Sequence, residues 1–129
     1  MTVLRLPDAT TLAANSPVPH DKLTSMCAKA IDDVITPNET FDNAKMSNWN
    51  EQIIHSILES LVSACSTHKF VIYCTVIERE GDDNLRQLRS TSGAYWNNET
   101  DGQWSYNWVG GRNGTSMDVV VNIVWISKE

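Results

Sequence analysis

Lys69–Glu78, KFVIYCTVIE, decides how this chain folds. It is rich in β-branched and aromatic residues, shorter than an ordinary buried helix, and preceded by the polar break Ser66-Thr67-His68. As a strand it sends Phe70, Ile72, Cys74 and Val76 to one face and Val71, Tyr73, Thr75 and Ile77 to the other. Both faces are largely apolar, so both are expected to be covered. A chain of 129 residues, one domain by size, has few elements with which to do so.

Outward from this strand the order is helices before it and strands after it. Leu23, Met26, Cys27, Ala30, Ile31, Val34 and Ile35 recur at intervals of three and four, which predicts a helix capped by Asp21 and ended before Pro37. A polar connector, Asn38–Met46, leads to a second helix capped by Ser47 or Asn48, with Asn48 and Glu51 at capping-box spacing. Trp49, Ile53, Ile57 and Leu61 form its apolar row, with Ile54, Leu58, Val62 and Cys65 beside it. Glu51, Gln52, His55, Ser56, Glu59 and Ser60 make a wet face, so this helix can cover one side of a sheet.

After the charged loop Arg79–Arg89 come three more strand patterns: Ser90–Asn97, Gln103–Val109 and Thr115–Ile126. Asp101-Gly102 reads as a hairpin turn, and Gly110–Gly114 as a longer one. Helices followed by strands predict an α+β fold, two helices packed on a four-stranded antiparallel sheet. Residues 1–20 hold Pro7, Pro17 and Pro19 and few apolar residues, and read as a flexible leader with little core; the domain proper is 21–129.

Two helices cover one face of such a sheet. The other face, Val71, Tyr73, Thr75, Ile77, Val120, Asn122, Val124 and Ile126, would expose an apolar patch of about several hundred Å2, the size at which monomers usually stop. A second copy would bury it by two-fold symmetry, so a homodimer is expected, with Val71, Tyr73, Thr75, Val120, Asn122 and Val124 at its interface.

Composition narrows the function. Charged residues make up 20% of the chain, the net charge is −6 and the pI is near 4.9. Such a chain gains nothing from counterion release, which argues against nucleic acid and anionic membranes as partners. No stretch reads as a signal peptide or a membrane span, and Cys27, Cys65 and Cys74 each lie in an apolar pattern. They read as small buried hydrophobes in a reducing compartment, and without a signal sequence the sequons at Asn38, Asn98 and Asn113 read as chance matches. The expected location is cytoplasmic.

Catalysis and metal binding find little here. Cys65 and His68, with Cys74 and His55, lack the paired short spacings of a zinc site. A nucleophilic thiol needs exposure and an aimed base, and these thiols sit inside apolar runs. Gly110–Gly114 lacks the Gly-Lys-Ser/Thr ending of a phosphate loop. No catalytic residue, cofactor or metal is expected. The charges of Arg79–Arg89 read as a solvated loop that protects a sheet edge. Tyr95 and Trp96 keep two readings, as core like Trp104, Trp108 and Trp125, or as the flanks of a groove for an extended peptide.

Three runs taken together, SNWNEQIIHSILESL, HKFVIYCTVIERE and GAYWNNETDGQWSYNW, resemble the Tctex-type dynein light chains. The similarity covers about Leu23 to the C-terminus, and rests on the order and spacing of Trp49, the Lys69–Glu78 strand, Tyr95-Trp96, Asp101-Gly102 and Trp108. It implies a strand-swapped homodimer whose sheets meet back to back, with the strand after the charged loop crossing to the partner's sheet. It implies a non-catalytic subunit of a cytoplasmic, microtubule-associated motor that holds an extended dynein intermediate-chain segment by strand addition. On that reading the binding surface combines Ser92, Gly93, Ala94, Tyr95 and Trp96 with Asn48, Gln52 and His55 of the second helix. Alternatives are a light chain of axonemal or ciliary-transport dynein, an adaptor using the same groove without dynein, and, in another class, a small α+β enzyme. The chain departs from the family pattern in the loop Arg79–Arg89 and in its hydrophilic leader.

Overall fold

The structure is a computed structural model that describes residues 2–5, 14–78, 94–97, 99–110, 114–115 and 117–128. In chain order its elements are β1 (Thr2–Arg5), α1 (His20–Val34), α2 (Asn43–Ala64), β2 (His68–Glu78), β3 (Ala94–Asn97), β4 (Gly102–Val109) and β5 (Met117–Ser127). The α+β class follows the expectation. The sheet does not. Three strands form an antiparallel sheet in the order β2-β5-β4, and β3 pairs instead with β1 in a separate two-stranded ladder. The loop Arg79–Arg89 lies outside the described residues.

The main sheet is a long central strand with a neighbour on each side. β5 pairs with β2 from His68↔Ser127 to Glu78↔Met117, and with β4 from Gly102↔Trp125 to Val109↔Asp118. The two-residue period then sorts the side chains. Met117, Val119, Val121, Ile123 and Trp125 are buried under the helices with Val76, Trp104 and Trp108. Phe70, Ile72, Cys74 and Tyr106 pack against the same core.

Helix α2 contributes Trp49, Ile53, Ile57 and Leu61, one row at i, i+4 spacing, all buried. The neighbouring row is less buried than the sequence predicts: Ile54 and Leu58 are half-buried, and Val62 is 65% exposed. The helix also starts earlier than Ser47. Asp42 is its N-cap and its carboxylate accepts the Ala44 N–H at 2.9 Å, so the end of the supposed connector is already helical. Helix α1 begins at His20 after Pro19, with no side-chain cap, so Asp21 lies in its first turn. Its buried face, Leu23, Cys27, Ala30 and Ile31, follows the predicted row. Trp108 ties this helix to β4 by donating from Nε1 to Asp32 Oδ1 at 3.1 Å.

The leader supplies more structure than its composition indicates. Val18 is 2% exposed within the core. Asn15 donates from Nδ2 to the Asp101 carbonyl at 2.8 Å and accepts the Trp125 indole N–H at 3.3 Å. Thr2–Arg5 forms β1. An Asn is worth little to a hydrophobic count, yet here it satisfies a buried Trp and a turn carbonyl together.

Among the described residues no helix is long and apolar enough to cross a membrane.

Candidate functional site: an open sheet face and a detached strand

Two features of this fold stand out as candidate contact surfaces. The first is the face of the main sheet opposite the helices. Register places Val71, Val124 and Gln103 in one cross-strand row, Tyr73, Asn122 and Ser105 in the next, and Thr75, Val120 and Asn107 in the third. All six residues expected at a dimer interface therefore share one face. Tyr73 is 59% exposed and Val71 39%, while Val120, Asn122 and Val124 are half-buried by their neighbours. Val109 and Ile126 add two more exposed apolar side chains to this face. Its polar centre is tied internally, since the Ser105 hydroxyl donates to Asn122 Oδ1. Helices α1 and α2 lie on the other side and cannot cover it.

The second feature is β3. A plain Asp101-Gly102 hairpin would have set β3 beside β4; the resemblance already sets that reading aside, and β3 does not join the β2-β5-β4 sheet. What Asp101 does is different. Its carboxylate, 6% exposed, accepts the Ser127 N–H at 2.8 Å, the Thr100 hydroxyl at 3.0 Å and the Asn97 N–H at 3.1 Å. A buried polar side chain needs partners, and here the donors come from the end of β3, the following turn and the end of β5. Gly102 then leaves room for the indole of Trp125: a Cβ at Gly102 would stand 2.5 Å from Trp125 Cζ2. Asp101-Gly102 is thus the junction that aims β3 away from its own sheet.

The other residues expected at a binding surface fall into two groups. Asn48, Gln52 and His55 are exposed on α2. His55 pairs with Glu59 one turn on, Nε2 to Oε1 at 3.2 Å. Beside them His55, Leu58, Glu59, Val62 and Ser63 line a shallow depression. Leu58 and Val62 lie beside the apolar row by periodicity, and what separates them from the core is the i, i+4 row of Trp49, Ile53, Ile57 and Leu61, the buried residues of α2. Ala94, Tyr95 and Trp96 lie on β3, and their register partners on β1 are Arg5, Leu4 and Val3. Ser92 and Gly93 lie outside the described residues, as do the side chains of Tyr95 and Trp96. Within one subunit the two groups are not assembled: α2 packs on β2, and β3 packs on β1.

The thiols and imidazoles have structural surroundings. Burial pushes the Cys27 thiol up to about 12, with Cys74 nearby adding to the rise, and burial pushes Cys74 up to about 11. Neither supplies a thiolate near neutrality. His68 Nε2 contacts the Thr100 carbonyl at 3.2 Å and so donates there, leaving Nδ1 to accept from the Thr67 hydroxyl at 2.8 Å. His68 is thereby a clamp between the start of β2 and the turn after β3. Among the described residues no group of three or more His, Cys, Asp or Glu side chains could hold a metal ion.

Comparison with known proteins agrees with this architecture. The Tctex-1 family model matches residues 17–126, nearly the whole chain. The chain belongs to the Tctex-1 family. It is 28% identical over 112 residues to a dynein light chain Tctex-type of Schizosaccharomyces pombe, covering 86% of this chain and 96% of that one. It is 32% identical over 115 residues to topoisomerase I damage affected protein 2 of Vanderwaltozyma polyspora, covering 88% of each. A Drosophila melanogaster dynein light chain Tctex-type is 26% identical over 88 residues, 68% of this chain and 75% of that one. Membership supports a dynein light chain role and a place in the dynein complex, and the family is generally non-catalytic.

Proposed function

We propose that this Tctex-1 family chain is a non-catalytic, homodimeric light chain that clamps two extended segments of dynein intermediate chain by strand addition. The observation that carries the proposal is the position of β3, outside the β2-β5-β4 order, while β2 is the outermost strand on one side of that order. In the dimer β3 of each subunit crosses to the partner's β2, and the two open sheet faces meet through Val71, Tyr73, Thr75, Val120, Asn122 and Val124. The crossing brings β3 beside the partner's α2, because α2 packs on β2. Asn48, Gln52 and His55 then face the far edge of β3, with Leu58 and Val62 as an apolar floor. An added strand is held by main-chain pairing, with side-chain pockets supplying preference. Two such edges on one dimer raise the effective concentration of the second segment, which suits a twofold motor in the cytoplasm.

A second reading, an adaptor that uses the same groove without dynein, is favoured by the Vanderwaltozyma relative, whose name refers to topoisomerase I damage and not to dynein.

Overlapping synthetic peptides spanning the fission-yeast dynein intermediate chain, titrated by calorimetry, test the proposal beside sedimentation of the free protein. One peptide bound per subunit of a dimer is the expected result. Ala94→Pro removes a backbone donor from β3 and is expected to abolish binding while the protein sediments as a dimer. If a folded Ala94→Pro dimer binds as tightly as the parent, the groove lies elsewhere.

A further inference from the structure

β3 is already occupied by this chain's own N-terminus. Thr2–Arg5 runs antiparallel to Ala94–Asn97 with the register Thr2↔Asn97, Val3↔Trp96, Leu4↔Tyr95 and Arg5↔Ala94, so the self-strand spans the full length of β3. We infer that Thr2–Arg5 is an intramolecular ligand of the β3 edge, which an incoming peptide strand must displace. The inference rests on the strand-addition reading above. A strand has two edges. If the partner's β2 takes one, β1 takes the other, and that is the edge an added peptide needs.

The self-strand is held near its site by a nearby anchor. Asn15 is fastened to both the Asp101 carbonyl and the Trp125 indole, and Val18 is buried just after it. Asp101 in turn binds the Asn97 N–H at the end of β3. Asn15 is therefore pinned beside the Asn97 end of the strand with which Thr2–Arg5 pairs. A short tether of this kind gives an effective concentration of roughly millimolar, so a pairing of only four residues can hold the edge against weak competitors. The consequence is selectivity. Segments that offer main-chain pairing alone are excluded, and one that also engages α2 gets in.

The test uses the full chain with Val3→Pro and Leu4→Pro together, which remove two successive donors from β1, and Arg5→Pro as a milder variant at the last register pair. The probe is a fluorescent peptide of this chain's residues 1–8. It is expected to bind the double variant about tenfold more tightly than the parent, because the parent's edge is mostly filled. Equal affinity for the two, or no binding to a variant that melts like the parent, overturns the inference. A changed dimer dissociation constant with unchanged probe binding also overturns it, since β1 would then hold the partner's edge.

Competition separates this inference from the reading it rests on. If the probe binds the double variant and no intermediate-chain peptide displaces it, self-occupancy stands and the intermediate-chain reading falls. If an intermediate-chain peptide binds parent and double variant equally, that reading stands and the self-strand falls.

Discussion

Asp101 accepts the backbone N–H of Ser127 at 2.8 Å, joining the turn that launches β4 to the last residue of β5. The same carboxylate takes the Asn97 N–H at the end of β3, and the Asp101 carbonyl takes the Asn15 amide. Three stretches of the chain, at Asn15, residues 97–101 and Ser127, meet on one side chain and its own carbonyl. Where β3 departs from the β2-β5-β4 sheet is thus set by a buried side chain and its donors rather than by a turn type.

Asp101→Ala leaves the Ser127 and Asn97 N–H groups without their carboxylate. Hydrogen bonds to charged groups contribute more than neutral ones, so the expected loss is about 3 kcal/mol, a fall in Tm of roughly 10 °C. Asp101→Asn keeps one acceptor oxygen and is expected to lose less. Thermal melts of the two variants beside the parent provide the check, and equal melting of Asp101→Ala and the parent would falsify the hub.

Gly102→Ala is expected to destabilise by about 2 kcal/mol although it adds one methyl group. The new Cβ would stand 2.5 Å from Trp125 Cζ2 and 2.8 Å from Cε2, inside a core where the indole is 1% exposed and bonded to Asn15. The indole has to shift, and its bond to Asn15 lengthens. Tryptophan emission shifted to the red, together with a lower urea midpoint, would report it. An unchanged midpoint would show that Trp125 yields freely.

Much of this fold is legible in the sequence because period carries it. The alternation of β2 and β5 and the i, i+4 row Trp49, Ile53, Ile57 and Leu61 place the core faces correctly. The helix start at Asn43 is missed because Asn48 and Glu51 mimic a capping box, while the working cap is Asp42 one turn and more upstream. Asp101-Gly102 is missed for a deeper reason. A local turn signal says nothing about Ser127 or Asn15, whose donors reach it from 26 and 86 residues away. The pairing of β1 is silent in the sequence for a similar reason: it is four residues long, and pairing with β3 is a main-chain event that side-chain patterns do not announce. Of the expected site, the rows on the open sheet face follow from alternation, whereas α2 packs on β2 and β3 on β1, so the other two groups are not joined within this chain.

Alkaline pH should weaken the fold through its thiols. Cys27 and Cys74 are raised from an ordinary 9.0 to about 12 and about 11, so between those values the unfolded chain gives up protons that the folded chain keeps. The folded state binds more protons there, and stability falls as pH rises. The contribution is fully present below pH 9.0 and is lost toward pH 11 and 12. Each thiol adds a slope of at most about 1.4 kcal/mol per pH unit. Urea midpoints measured from pH 8 to pH 10.5 check this. Cys27→Ala is expected to be less stable at pH 8 and to show the shallower decline, and a decline as steep as the parent's assigns the effect to other groups.

Val124→Lys is the sharpest test of the two-fold assembly. Val124 stands between Val71 and Gln103 on the open face, one row from Tyr73, Asn122 and Ser105. In a lone subunit a lysine there extends into solvent and costs little. In a dimer it is driven between two sheets with no carboxylate opposite it in its row, and a buried unpaired charge costs roughly 3–5 kcal/mol. The parent is therefore expected to sediment as a dimer at micromolar concentration, at twice 14.5 kDa, and Val124→Lys as a monomer or an aggregate. Val120→Lys should behave likewise, since it lies in the third row between Thr75 and Asn107. Thr40→Lys, exposed in the connector between α1 and α2, is the control and should leave the dimer intact. If the parent already sediments near 14.5 kDa at every concentration, the open face serves something other than a second copy of this chain.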